Sequence, residues 1–122
     1  MNEQQFKERT KKLALAITQM AEELPQGWTT RIYATQLVRA ATSVAANYRA
    51  ACRARSTAEM ISKLGTVEEE ADESAFWLER LVDGRKASKE TAAPLIRESN
   101  EILAMTVASI KTLRNRPPTN RR

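Results

Sequence analysis

From Met60 to Leu81 the chain repeats its core-forming positions at alternating steps of four and three: Met60, Leu64, Val67, Ala71, Ser74, Leu78 and Leu81. A period near 3.5 places these side chains on one stripe of an α-helix. A strand would need alternation at every second residue, and no run of Val, Ile, Thr and Tyr sustains that. An isolated helix with such a stripe is marginal in water, so the stripe must be covered by partners. The rest of the chain supplies three.

Ser56-Thr57-Ala58-Glu59 reads as a capping box that opens this helix, and Asp83-Gly84 closes it. Upstream, Phe6, Leu13, Ile17, Met20 and Leu24 keep a heptad spacing with Thr10 filling the gap, until Pro25 and Gly27 end the helix. Thr29 or Thr30 is expected to cap a second helix, whose stripe is Tyr33, Leu37, Ala40, Val44, Tyr48 and Ala51. Ser88 is expected to cap a fourth, with Ala92, Ile96, Ser99, Leu103, Thr106, Ile110 and Leu113 widened by Leu95 and Ile102. Pro117 and Pro118 stop it.

The expected helices span about 3–23, 29–54, 56–83 and 88–114, within one domain over 1–116. Residues 117–122 are expected to form a disordered basic tail. Helices of about 20–28 residues reach about 30–42 Å. Matched lengths and short connections predict an all-α, antiparallel up-down-up-down four-helix bundle.

Several function classes are disfavoured by what the chain lacks. There is no histidine among its 122 residues, which removes the commonest general base and metal ligand. The single cysteine, Cys52, excludes an intramolecular disulfide, disfavours structural zinc, and fits a reducing cytoplasm. No apolar run approaches the roughly 20 residues of a membrane span, and the N-terminus lacks the apolar core of a secretion signal. There is no phosphate-binding glycine loop and no nucleophile–base pair at recognisable spacing. No catalytic residue, cofactor or metal is therefore expected, and the chain reads as a non-enzyme.

Charge is unevenly spread over the net +5. Between Leu24 and Ala58 stand five arginines (Arg31, Arg39, Arg49, Arg53, Arg55) and no acid. Between Ser56 and Asp83 stand eight acids against Lys63 and Arg80. Opposite signs favour an antiparallel pairing of the second and third helices.

Gln36, Arg39, Ser43 and Asn47 recur three or four residues apart beside the second stripe, where a core edge would carry Leu or Ala. Glu70, Ser74 and Trp77 flank the third stripe, with Glu73 further round. Arg39 is placed to reach Glu70 or Glu73, with Gln36, Ser43 and Asn47 completing the network and Trp77 beside it. On this reading Arg39→Ala should cost about 2–4 kcal/mol, the range for stranding a buried carboxylate. Glu-x-x-Glu is also half of a di-metal motif, but its Glu-x-x-His half is missing. Cys52 lies near Arg49, Arg53 and Arg55, which would activate an exposed thiol, yet its place on an apolar face favours an inert one. Trp28 falls in the loop before the second helix, free to contact a partner.

A second apolar face runs along Ala34, Val38, Ala41, Thr42, Ala45 and Cys52, and another through Ile61, Gly65 and Phe76. Helices apolar on two sides are usually buried on two sides. Val38, Ala45, Ile61 and Phe76 are thus candidate contacts between subunits.

The run QLVRAATSVAANYRAA followed by the Ser56 cap and EEADESAFWLERL resembles the 23S rRNA-intervening-sequence protein family, also called four-helix bundle proteins. The shared pattern is Gln-Leu-x-Arg-Ala-x-x-Ser-x-x-x-Asn, then Glu-x-x-Glu-x-x-x-Trp-Leu. It is matched by Gln36, Leu37, Arg39, Ala40, Ser43 and Asn47, then Glu70, Glu73, Trp77 and Leu78. Many relatives carry an acid and a glycine after the Asn, where this chain has Arg49-Ala50-Ala51 and is more basic. The resemblance implies a bundle assembled as a ring-like homopentamer, with no established enzymatic activity. It also points to the distantly similar accessory protein of diversity-generating retroelements, which binds nucleic acid and a reverse transcriptase.

Two functions are compatible with these features. One is a sequence-tolerant nucleic-acid-binding accessory module, holding RNA or DNA through Arg49, Arg53, Arg55, Arg114, Arg116, Arg121 and Arg122. The other is a protein-interaction scaffold without nucleic acid, in which those arginines are simply a solvated face.

Overall fold

Four helices make up nearly all of residues 1–116, the part of the chain described by a computed structural model: α1 (Glu3–Glu22), α2 (Trp28–Cys52), α3 (Thr57–Asp83) and α4 (Lys89–Asn115). Residues 117–122, where the basic tail with Arg121 and Arg122 was expected, lie outside the described part.

Each helix start has its own chemistry. Asn2 and Gln5 form a reciprocal capping box on α1, with Asn2 Oδ1 accepting from Gln5 N at 2.8 Å and Gln5 Oε1 accepting from Asn2 N at 3.0 Å. Ser56 accepts from Glu59 N at 3.0 Å, but the Glu59 carboxylate accepts from Arg55 N rather than from Ser56 N. The box on α3 is thus displaced by one residue. Ser88 Oγ accepts from Thr91 N at 3.1 Å to start α4.

The second helix departs from expectation. Neither Thr29 nor Thr30 caps it, because Gly27 takes φ 156° and ψ 149°, a conformation essentially reserved for glycine, and turns the chain into the helix at Trp28. Thr30 is carried into the interior instead, and its buried hydroxyl has no hydrogen-bond partner among the described residues.

The core joins the four stripes. Leu13, Ile17, Leu37, Val44, Leu64, Val67, Leu78, Leu81 and Ile102 are all buried. Polar residues on the stripes keep the helix continuous by donating to their own backbone: Thr10 to Lys7 O, Ser74 to Glu70 O, Ser99 to Leu95 O and Thr106 to Ile102 O, all within 2.7–2.9 Å. Ala40, Ala41, Ala71 and Ala75 are also buried, and such small side chains let helices approach closely.

Tyr33 of α2 meets Trp77 and Arg80 of α3, whereas Arg39 meets Glu70 and Glu73. Residue numbers therefore rise along α2 as they fall along α3. The α1–α4 seam is the thinnest of the four that close the fold. It is bridged by Arg9, whose guanidinium donates to Glu98 at 2.5 and 2.9 Å and also reaches Glu101.

Candidate functional site

The polar line on α2 divides in two. Arg39 is its centre: Nε donates to Gln36 Oε1 at 3.1 Å, and Nη1 and Nη2 donate to Glu70 at 3.3 and 3.1 Å. Nη2 also donates to Glu73 at 2.7 Å, and Trp77 Nε1 donates to the same carboxylate at 3.1 Å. Ser43 and Asn47 do not join. Asn47 Nδ2 turns back to Ser43, donating to its carbonyl at 3.0 Å and its hydroxyl at 2.9 Å. One helical turn separates these partners, so the local bond is made before any reach across to α3 is needed.

The network is also more open than a buried lock. The Arg39 side chain is 45% exposed, against 17% for Glu70 and 37% for Glu73. Bonds to Glu70 and then Glu73 hold the Arg39 guanidinium above its ordinary range. The Trp77 N–H, and after it Arg39, hold the Glu73 carboxyl below the usual carboxylate range, against the opposing effect of burial.

A pH dependence follows. A carboxyl with a depressed folded value adds stability above its unfolded value of about 4.3 and loses it as pH falls through the folded one. Wild type should melt above Glu73→Gln near neutrality, and the gap should narrow below about pH 4. Melting curves of the two proteins between about pH 7 and 3 test this; a gap constant with pH would show that Glu73 is not held ionised by the fold.

Beyond the network, Trp77 and Phe76 of α3 meet Tyr33 of α2. Trp77 lies 5.4 Å from Tyr33 and 5.0 Å from Phe76, edge to face with the latter. Arg80 donates to the Tyr33 hydroxyl at 2.7 Å, with its guanidinium carbon 5.3 Å from the ring centroid. Phe76 is 48% exposed at the edge of this group, and Trp28, at the start of α2, is 72% exposed.

The expected subunit contacts fall in different environments. Ala41, read as part of a second face, is fully buried in the core. Ala45 lines a groove shared with Gln4, Lys7 and Lys11 of α1, and Ala34 lines another with Ala21. Val38, on the same line of α2, is half-buried. The second face of α2 is thus largely the side turned to α1, because stripes on two neighbours make one helix look apolar twice. Ile61 packs against the core, leaving Phe76 the most open of the four candidates.

The five arginine candidates among the described residues gather at one end of the fold. Arg49 and Arg53 end α2, and Arg55 precedes α3. Met60, in the first turn of α3, shares a depression with Leu113 and Arg116 at the end of α4. Arg49, Arg53, Arg55, Arg114 and Arg116 are all exposed. Cys52, nearby, is half-buried, and loss of water pushes its thiol up, with Tyr48 the main opposing influence. Among the described residues, no group of three or more Cys, Asp and Glu side chains is clustered to hold a metal, and no helix is long and apolar enough to cross a membrane.

Two features escaped the sequence reading. Arg9 was invisible as a bridge, although Glu98 and Glu101 at i, i+3 on α4 were a signal that a cation should face them. Lys7 and Lys11, to which the sequence assigned no role, stand across a groove from Arg49.

The profile of the 23S rRNA-intervening sequence protein family matches residues 2–108. A crystal structure of a protein of unknown function from the S23 ribosomal protein family of Bacteroides thetaiotaomicron VPI-5482 is similar in fold. It has 29% identity and a TM-score of 0.84, covering 92% of this chain and 100% of that one. No curated protein matches the chain.

Proposed function

The chain belongs to the 23S rRNA-intervening sequence protein family, and on that premise we propose that it is a non-enzymatic, oligomeric accessory module that holds nucleic acid by its phosphates. The observation that carries this reading is the convergence of Arg49, Arg53, Arg55, Arg114 and Arg116 at one end. They arrive from the end of α2, the turn before α3 and the end of α4, which supports an antiparallel up-down-up-down course. Cations held on three segments present a surface to a polyanion rather than a readout of bases, so binding tolerates sequence. Assembly into a ring-like homopentamer would repeat the +5 charge around the ring. A reducing cytoplasm suits the lone Cys52, and a nucleic-acid enzyme such as a reverse transcriptase is the protein partner that fits this role.

Titration of labelled RNA and DNA at about 50 and 200 mM salt tests the reading. Binding should weaken steeply with salt and vary little with sequence, and Arg55→Gln with Arg116→Gln should flatten the slope. No binding by the wild type at about 50 mM salt would reject nucleic-acid binding.

The second reading is a protein scaffold, favoured by Trp28, 72% exposed at the start of α2, and by Phe76 on the outer side of α3. Exposed aromatics are typical anchors of protein contacts. Recovery of one defined partner after nuclease treatment, lost on Trp28→Ala, would favour it. Mass in solution decides the number of subunits in either case.

A further inference from the structure

The groove between α1 and α2 runs from the basic end along the side of the fold. It is an open cleft of about 410 Å³, with Lys7, Lys11 and Gln4 on the α1 wall and Arg49 and Thr42 on the α2 wall. Ala45 lies between them and leaves the floor low. Among the described residues no acid lines this cleft, and none of its three cations has an ion-pair partner within 4.0 Å. Arg9, two residues from each lysine and so turned to the other side of α1, is by contrast engaged by Glu98 and Glu101.

Three unpaired cations facing one cleft repel one another, so an anion between them is favoured. Lys7 and Lys11 stand about 6 Å apart along α1. Successive phosphates of one strand stand a few ångström apart, so two lysines at this spacing can serve neighbouring phosphates. Thr42 and Gln4 add neutral donors for phosphate oxygens, as is usual in backbone contacts.

We propose that a single strand of RNA or DNA lays its phosphodiester backbone along the α1–α2 groove, between Lys7 and Lys11 on one wall and Arg49 on the other. This rests on the nucleic-acid reading above and gives it a path: the strand leaves the arginines at the end of the fold and continues down the side.

The probe is a labelled oligouridine of about 20 nucleotides, followed by fluorescence anisotropy at several salt concentrations. The variant Lys7→Gln/Lys11→Gln/Arg49→Gln should bind at least about tenfold more weakly, with a salt slope lower by about 2. Ala45→Glu, which removes no cation but places a carboxylate on the floor, should weaken binding in the same direction with an unchanged melting curve. If wild type binds nothing, the nucleic-acid reading falls and the groove path with it. If wild type binds, Arg55→Gln/Arg116→Gln weakens it, and both groove variants bind like wild type, the path alone is overturned. A groove variant that changes the mass in solution while leaving affinity intact also overturns it, by assigning the cleft to a subunit contact.

Discussion

Replacing Leu78 with alanine should destabilise the protein by about 3 kcal/mol, within the range for emptying a packed leucine site. Leu78 is fully buried on α3, the helix that packs against both α2 and α4. It lies one turn from Ser74 and Leu81, also fully buried, so neighbours held on a continuous helix have little freedom to close the cavity. Urea unfolding should show a lower midpoint with an unchanged slope, because the folded and unfolded surfaces stay nearly the same. Phe76→Ala, two residues away but on the solvent side, should change the unfolding of an isolated subunit by less than about 1 kcal/mol. A Leu78→Ala loss as small as that would mean the α3 stripe does not carry the core.

That stripe is also where sequence and structure agree most closely. Leu64, Val67, Ala71, Ser74, Leu78 and Leu81 are all buried, because a period near 3.5 leaves a helix only one way to face its neighbours. The pattern says less about the flanks. Ala41 was assigned to an outer face and is interior, since alanine is too small to declare its side by type. Ser43 and Asn47 were assigned to the network across α3, but a local partner one turn away is always available to an Asn and needs no tertiary contact. The start of α2 was missed because the turn depends on a backbone conformation at Gly27, and two threonines downstream offered a more familiar cap. Least legible was the α1–α4 seam. Residues 9 and 98 are far apart in the chain, and which flanking charges meet depends on small rotations of each helix that periodicity leaves open.

The seam therefore supplies the second large effect: Arg9→Ala should cost about 2 kcal/mol, more than the roughly 1 kcal/mol now expected of Arg39→Ala. The two arginines have similar partners. Each spans two carboxylates, and each guanidinium is held above its ordinary range, Arg9 chiefly by Glu98 and Arg39 chiefly by Glu70. They differ in access to water. Arg9 is 23% exposed beside Glu98 at 29%, whereas Arg39 is 45% exposed. Water takes over much of what Arg39 gives up, which lowers the 2–4 kcal/mol that a buried network would have implied. The carboxylates do not make the difference, since Glu98 is 29% exposed and Glu70 17%; it lies in the arginine itself, which at the α1–α4 seam is the more buried of the two. Arg9 Nη1 also donates to Met105 Sδ at 3.3 Å, so truncation strips packing from the thinnest seam as well as charge. Denaturation of both variants orders the two effects, and hydrogen exchange locates them: Arg9→Ala should speed exchange in α1, while Arg39→Ala should leave α1 near wild type. The reverse order would place the stronger tie between α2 and α3 and make the Arg9 contacts a surface ion pair.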